Sequence, residues 1–176
     1  MDPFLIEFGR LYERMRNLYN NNLKRYPPSS QRSSKDLFNR IIKGDYKREN
    51  GDDYIVASGE RSVPISSTSS GQQEALPLLI LLSALRTNRS RLGINLFIEE
   101  PEAHLFPDTQ KDFIDYIFTS LADNKGICVI TTHSPYVLSE VNNMMYRGNL
   151  VKLVGENQKY KYLKLDAWVN AERVEA

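Results

Sequence analysis

The fold is decided by residues 94–135, which read INLFIEEPEAHLFPDTQKDFIDYIFTSLADNKGICVITTHSP. Two short apolar runs, Asn95–Glu99 and Gly126–Thr131, predict strands, and the stretch Pro107–Ala122 between them predicts a helix. Pro107 suits the first helical position, because the N–H that proline lacks would find no partner there. A strand, a helix and a second strand in this succession predict a right-handed crossover and a parallel strand pair. The sequence therefore predicts an α/β fold with parallel core strands and flanking helices.

The segments on either side of this unit predict further helices and a small antiparallel β element. Apolar residues spaced by three and four from Phe4 to Leu18 predict an amphipathic helix that ends before Pro27. Ser34 is predicted to cap a second, short helix. Turn signals at Asn50-Gly51 favour the β element. The flanking set is helices over residues 3–26, 35–43, 70–86 and 135–145, a β element over 45–65, and strands over 150–154 and 159–165.

Length and composition favour one compact unit. The 176 residues are 41% apolar and 26% charged, which suffices for a substantial core. No apolar run is long enough to span a membrane, and charges scattered through the first residues are unlike a secretory signal. We therefore expect a cytoplasmic setting and no membrane partner. The single cysteine, Cys128, lies in an apolar run and is predicted to be a buried strand thiol rather than a catalytic one.

The net charge of +1 conceals two segments of opposite sign. Residues 24–48 contain eight basic side chains against two acidic ones, and residues 99–123 contain seven acidic side chains against one basic one. The basic segment is predicted to be a solvated face, with a nucleic-acid surface as the alternative. In that alternative Tyr19, Tyr26 and Tyr46 would offer stacking surfaces.

A serine-rich segment, SSTSSGQQE over residues 66–74, precedes a predicted helix. Ser70 and Gln73 fit a capping box, so we expect a helix to begin here with free backbone N–H groups. Hydroxyls, N–H groups and the positive end of the helix dipole would then converge on a point that suits phosphate oxygens. The alternative is an ordinary capped helix behind a polar loop.

Three carboxylates follow the first core strand, in the segment EEPE over residues 99–102. Of two adjacent acids at a strand end, one can hold a magnesium ion and the next can orient or deprotonate a water aimed at a phosphoryl group. The alternative is a pair of solvated loop residues. The break at Pro101 and the further acid at Glu102 weigh against that alternative.

The second core strand also ends in polar groups, Thr131-Thr132-His133-Ser134. The carboxyl ends of neighbouring parallel strands lie at one edge of the sheet, so His133 is expected beside Glu100. An imidazole there can donate a hydrogen bond to a phosphoryl oxygen. A zinc site that uses His104 and His133 is disfavoured, because neither an HExxH motif nor a cysteine-containing ligand pattern is present in the sequence.

In this order and spacing, the three motifs resemble the second half of an ABC-type ATPase head, of the branch that includes OLD-type, RecF-like and SMC-like ATPases. SSGQQ is similar to the signature motif, LFIEEPEAHLFP to the Walker B strand with its D-loop, and TTHSPYVL to the histidine switch. The resemblance implies a partial P-loop NTPase lobe, with residues 1–63 leading into a lobe formed by residues 64–176 and the whole forming one compact unit. It also implies a role in DNA maintenance or phage defence.

The resemblance assigns a role to each matching position. Glu99 would be the Mg²⁺-side carboxylate and Glu100, with His133, would act in catalysis. Glu102 and His104 would belong to the D-loop region. The signature residues would approach ATP held by a partner protomer, which implies a homodimer of complete heads. These signature residues are Ser69, Ser70, Gly71 and Gln72.

The sequence departs from this family pattern in three ways. Glu99 stands where many such heads have aspartate, Ser70 replaces the first signature glycine, and Phe106 occupies the place of the D-loop aspartate. In addition, no GxxxxGK[ST] loop occurs in the 176 residues, so the cradle for the β- and γ-phosphates is missing. We therefore expect the chain alone to be inactive as an ATPase, and to need a Walker A-containing half as its partner. The alternative function is a non-catalytic module for binding DNA or RNA, or for assembly, that uses residues 24–48.

Overall fold

The computed structural model describes residues 3–25, 32–57, 59, 61–87, 93–122, 125–154 and 174. These residues form two compact units, one within Met1–Arg91 and one within Leu92–Ala176. The helix that follows the serine-rich segment packs on the two N-terminal helices. The segment similar to the signature motif therefore lies in the first unit.

In the first unit, the described residues form three α-helices, a short 3-10 helix (Ile65–Ser67) and a three-stranded antiparallel sheet. The helices are α1 (Pro3–Arg25), α2 (Arg32–Ile42) and α3 (Ser70–Thr87), and the strands are β1 (Asp45–Glu49), β2 (Asp52–Val56) and β3 (Ser62–Pro64). The strand order is β1-β2-β3, and the β1–β2 register pairs Glu49 with Asp52. Asn50 and Gly51 close that hairpin, both with positive φ, which is the requirement of a tight primed turn. The predicted β element is confirmed.

The core of the first unit forms where α1 and α2 pack on α3. Phe38, Ile42, Leu79 and Ile80 are fully buried there. The apolar stripe predicted for α1 is only partly buried: Tyr19, at its margin, is buried, whereas Phe8, Leu11 and Leu18 are exposed. Tyr19 stacks on Phe38 with their ring centroids 5.4 Å apart, so aromatic contacts attach α1 to the unit.

The described residues of the second unit form a two-stranded parallel sheet and two helices. The strands are β4 (Leu96–Glu99) and β5 (Cys128–Thr131), and the helices are α4 (Pro107–Ser120) and α5 (Pro135–Val154). The parallel pairing places Glu99 opposite Thr131 and Phe97 opposite Val129. The predicted α/β fold, with its parallel pair and flanking helices, is confirmed.

Two glycines allow the backbone segments just before β4 and β5 to approach each other closely. A Cβ atom on Gly93 would lie 2.5 Å from the backbone nitrogen of Gly126, so neither position has space for a side chain. Beyond them, the Ile127 carbonyl accepts a hydrogen bond of 2.9 Å from Leu96 N–H. This contact sets the register that brings the two strand ends together.

Helix α5 corrects the prediction of a strand over residues 150–154. The helix continues to Val154, because Val137, Met144 and Val151 recur every seven residues and are all buried on one side. On the same side, Arg147 and Glu140 form an ion pair of 2.8 Å, and Glu140 and Lys111 of α4 approach to 3.7 Å. A short run of apolar residues does not distinguish a strand from the last turns of a helix, and burial decided between them here.

Three smaller predictions concern Ser34, Cys128 and residues 159–165. Helix α2 begins at Arg32, before Ser34, so Ser34 lies within the helix and is not its cap. Cys128 is exposed rather than buried, and within the described ranges β4 is the one strand that pairs with its strand. The strand predicted over residues 159–165 lies outside the described residues. No described helix combines the length and the apolar character needed to cross a membrane.

Candidate functional site

The site is built where β4 and β5 end side by side. Glu99 closes β4, and the backbone N–H of Glu100 donates to the Thr131 carbonyl at 3.0 Å and to Thr131 Oγ1 at 3.3 Å. Glu100 then adopts a left-handed conformation with φ of 41°, which is unfavourable for a residue with a Cβ. Such strained residues occur preferentially at functional sites.

Two consecutive turns carry the chain away from β4. The first joins the Ala103 N–H to the Glu100 carbonyl at 2.9 Å, and the second joins the Leu105 N–H to the Glu102 carbonyl at 3.1 Å. His104 lies in the second turn, with φ of 57° and an exposed side chain. Pro101 ends the strand as predicted.

Glu100 and His133 lie together, as the strand order predicted. Glu100 Oε1 and His133 Nε2 are 3.3 Å apart, and both side chains are open to solvent, with 45% and 88% of their surfaces exposed. A carboxylate and an imidazole at the same exposed edge can orient a water molecule and contact a phosphoryl group. Glu99 is also exposed, on the neighbouring residue of the strand end.

Glu102 differs from these two glutamates because it is buried, with 6% of its surface exposed. Its Oε1 accepts hydrogen bonds from the Thr132 hydroxyl and, at 3.2 Å, from the His133 backbone N–H. The acid that the sequence placed in the D-loop region therefore contacts the segment that carries His133.

Ser134 caps the amino end of helix α5 and connects this helix to α4. Its Oγ accepts from the N–H groups of Tyr136 at 3.2 Å and Val137 at 3.4 Å, and its hydroxyl donates to Gln110 Oε1 at 2.6 Å. Gln110 in turn donates to the Leu105 carbonyl at 2.9 Å. The sequence interpretation missed Gln110, Thr132 and the cap at Ser134. A serine directly before Pro135 is a signal that could have identified this cap, whereas neither glutamine nor threonine is diagnostic without its partner.

The start of α3 corrects the predicted capping box by one residue. Ser69, not Ser70, is the cap: its Oγ accepts from the Gln72 N–H at 3.3 Å, and Gln72 Oε1 accepts from the Ser69 N–H at 3.1 Å. Gln73 instead donates to the Thr68 carbonyl at 2.9 Å. Ser69 and Ser70 are exposed, whereas Gly71 is buried.

Gln72 is a second point of attachment for this turn. Its side-chain amide donates to the Ile42 carbonyl at the end of α2, at 2.6 Å. One side chain thus takes part in the cap of α3 and also fixes the turn against α2. The predicted signature residues form a single hydrogen-bonded turn at the beginning of a helix.

In the described part of the basic segment, Tyr46 and Arg48 make contacts within the first unit. Tyr19 and Tyr46 pack edge to face with centroids 5.5 Å apart, and Tyr46 also donates to Asp53 at 2.6 Å. Arg48 pairs with Glu13 at 2.9 Å and donates to Asn17 at 3.0 Å. Tyr26 lies outside the described residues.

The donor set at the strand ends suits Mg²⁺ bound together with a nucleotide. Across the part of the chain that the structure describes, no three His, Cys, Asp or Glu side chains form a group that could hold a metal ion alone. Mg²⁺ is characteristically held by one or two carboxylates together with substrate phosphates and water. The exposed carboxylates of Glu99 and Glu100 fit that mode, and no zinc-like cage is present among the described residues.

Three solved structures similar to this chain are heads of SMC proteins, and each match covers 62% of the chain. One comes from work on ATP-driven dimerization and DNA-stimulated activation of SMC ATPases, with 15% identity, a TM-score of 0.46 and 70% of that chain covered. Another is an Smc head bound to the C-terminal winged-helix domain of ScpA, with 16% identity, a TM-score of 0.48 and 36% covered. The third is a Pyrococcus furiosus Smc head with an extended coiled coil, bound to the C-terminal domain of ScpA, with 17% identity, a TM-score of 0.46 and 29% covered. No curated protein sequence matches this chain significantly.

A protein-family model gives the stronger assignment. The model of the AAA ATPase domain matches residues 5–138, which is well over half of the chain and includes all three motifs up to His133. The chain belongs to the AAA ATPase domain family.

Proposed function

We propose that this chain is the C-terminal lobe of an ABC-type ATPase head and contributes the Walker B strand, the switch histidine and the signature motif to ATP hydrolysis. The observation that carries the proposal is the approach of Glu100 and His133 to 3.3 Å at the ends of two adjacent parallel strands. Ligands of open α/β sheets bind outside the carboxyl ends of the strands, which is where this pair lies.

Each residue has a distinct role in this proposal. ATP supplies the phosphoryl group, and Mg²⁺ neutralises charge on its oxygens. Glu99 holds the Mg²⁺ on the β4 side, and Glu100 accepts a hydrogen bond from the attacking water and so orients it. His133 contacts the γ-phosphate from the end of β5, and its high exposure leaves the ring accessible to a nucleotide. The strained backbone at Glu100 is compatible with a carboxylate held in place for this purpose.

The signature role rests on the turn that Ser69 begins. Ser69, Ser70, Gly71 and Gln72 lie at the amino end of an 18-residue helix, where backbone N–H groups and the helix dipole favour phosphate. The exposed Ser69 and Ser70 side chains would approach the γ-phosphate of a nucleotide on a partner protomer. A homodimer of complete heads is therefore part of the proposal.

A Walker A-containing half is the partner that the proposal requires. No GxxxxGK[ST] loop is present in the 176 residues, so the lysine and the phosphate cradle must come from elsewhere. Phe97 and Val129, which are paired in the register, are 79% and 41% exposed on one face of the parallel sheet. Parallel sheets are normally covered on both faces, so this exposed face supports the addition of further secondary structure. The resemblance to OLD-type, RecF-like and SMC-like ATPases supports a role in DNA maintenance or phage defence.

The test combines this chain with a Walker A-containing half from the same family and measures phosphate release with and without Mg²⁺. We expect Mg²⁺-dependent ATPase activity from the mixture and none from the chain alone. Glu100→Gln preserves the size of the side chain but removes the carboxylate, and we expect it to reduce the rate by about a hundredfold or more.

Asp108→Asn is the matched control, because it removes an exposed carboxylate from the first turn of α4 in the same unit. It should leave the rate within about twofold, since exposed charges of this kind contribute little. An ATPase rate that Glu100→Gln leaves unchanged would refute the assignment.

A further inference from the structure

We infer that Glu102 is a positioning residue, which joins the segment after β4 to the segment after β5 and so sets His133 opposite Glu100. Glu102 is buried, whereas Glu100 and His133 are exposed. Its catalytic consequence rests on the function proposed above, whereas its structural basis does not.

The contacts of Glu102 form a short network between the two segments. Glu102 Oε1 accepts from the Thr132 hydroxyl and from the His133 N–H at 3.2 Å. Thr132 Oγ1 accepts in turn from the Ser134 N–H at 3.0 Å. One buried carboxylate therefore restrains three successive residues, with His133 in the middle.

The contact between Glu100 and His133 is too exposed to solvent to fix the relative position of the two residues. Ion pairs between solvent-exposed side chains contribute about 0–1 kcal/mol, because water screens the charges and both side chains lose rotational freedom. Hydrogen bonds to an ionised carboxylate are stronger, and burial removes the competition from water. The buried network of Glu102, rather than the exposed pair, accounts for the position of the His133 backbone.

Burial of Glu102 also has a cost in folding stability. Its Oε2 is buried without a hydrogen-bond partner among the described residues, and a buried unsatisfied polar atom costs about 1–3 kcal/mol. An apolar side chain of similar size would avoid this cost but would leave the Thr132 hydroxyl and the His133 N–H without their acceptor. A carboxylate here favours a defined loop geometry over maximal stability.

The first experiment measures hydrogen exchange of the His133 backbone amide by NMR in the full chain. Glu102→Met keeps the length of the side chain but removes the acceptor, and Glu102→Gln keeps a carbonyl oxygen in place of Oε1. We expect exchange to accelerate about tenfold or more in the Met variant and to stay within about threefold in the Gln variant. The Glu100 amide, which is bonded to Thr131 rather than to Glu102, is the internal reference.

Unchanged exchange in the Met variant, or equal acceleration in both variants, would overturn the inference. If the Met variant fails to fold, Thr132→Val and Thr132→Ser give the same comparison from the other side of the hydrogen bond. Serine retains the hydroxyl and valine does not, so only Thr132→Val should accelerate exchange at His133.

The second experiment tests the catalytic consequence in the complete ATPase. We expect Glu102→Met to lower the phosphate-release rate about tenfold in the parent chain and to have no further effect in a His133→Ala background, because Glu102 acts through His133. Independent, multiplicative losses would show that Glu102 does not act through His133. Absence of any ATPase activity in the parent mixture would refute the proposed function, and the amide exchange would still decide the structural inference.

Discussion

Each unit contains a buried carboxylate of nearly equal exposure, 7% for Asp53 and 6% for Glu102, but the two have different partners. Asp53 pairs with the Arg16 guanidinium and accepts from the Tyr46 hydroxyl at 2.6 Å, so its charge is neutralised within the unit. Glu102 instead accepts from a hydroxyl and a backbone N–H, and neither donor carries a charge. The first arrangement fixes one element of the scaffold to another, and the second fixes a segment that carries a candidate catalytic side chain.

The difference shows that burial alone does not separate a structural carboxylate from a functional one. Asp53 joins α1 to β2 and lies among side chains that the proposed chemistry does not use. Glu102 lies two residues from Glu100 and contacts the segment of His133. What a buried carboxylate holds in place, rather than how deeply it is buried, is the informative property.

The largest expected effect is at Asp53. Asp53→Ala leaves the Arg16 guanidinium, whose side chain is only 13% exposed, without its buried partner, and such a loss costs about 3–5 kcal/mol. Asp52→Ala is the control, because the preceding side chain of the same strand is exposed and should change stability by less than about 0.5 kcal/mol. Urea unfolding followed by circular dichroism measures both. Equal effects of the two substitutions would show that the Asp53 cluster does not stabilise the first unit.

The same cluster predicts a loss of stability at high pH. Burial and the charge of Asp53 raise the pKa of Tyr12 to about 12, and burial together with the hydrogen bond to Asp53 raises the pKa of Tyr46 further. Because these folded-state values lie above the unfolded value of about 10, the stabilisation is fully present below pH 10 and is lost as the pH rises. For Tyr12 the loss should extend from about pH 10 to about pH 12 and amount to about 1–2 kcal/mol after discounting for partial exposure.

Unfolding free energies measured between pH 9 and about pH 12, together with tyrosine absorbance, check this prediction. Tyr12→Phe removes one of the two ionisations and should flatten the decline. A decline of the same size in the Phe variant would show that Tyr12 does not contribute to it.

Backbone strain at the strand end predicts opposite effects of glycine at two adjacent positions. Glu100→Gly should stabilise the chain by about 1 kcal/mol, since glycine adopts the left-handed conformation without steric cost. Glu99→Gly should destabilise it by about 0.5–1 kcal/mol, because glycine loses more conformational entropy in a strand. Thermal unfolding compares the two variants, and destabilisation by both would contradict the inference of strain at Glu100.

The smallest effect distinguishes the two serines at the start of α3. Ser69→Ala removes the side-chain cap and should cost about 1 kcal/mol, whereas Ser70→Ala should change stability by less than about 0.5 kcal/mol. Urea unfolding of the two variants provides the measurement. A larger loss of stability for Ser70→Ala would favour Ser70 as the cap, as the sequence predicted.

Local patterns were the part of the structure that the sequence predicted well. The parallel pair, helix α4 after Pro107, the β element and the approach of Glu100 to His133 follow from signals within a few residues and from the geometry of a crossover. The errors arose where one local pattern allowed two outcomes. Either Ser69 or Ser70 could cap α3, and residues 150–154 could form a strand or the end of a helix until burial of Val151 decided between them.

The sequence by itself determined the family, the order of the motifs and the absence of a GxxxxGK[ST] loop within the 176 residues, because each of these depends only on residue type and spacing. Only the tertiary structure decided which carboxylates are exposed and which are buried. Glu99, Glu100 and Glu102 are identical in chemistry and separated by at most three positions, yet only Glu102 is buried. Two successive turns after β4 bring Glu102 to the hydroxyl of Thr132, which is 30 residues away along the chain. A contact over that sequence distance depends on the folded backbone rather than on any local pattern.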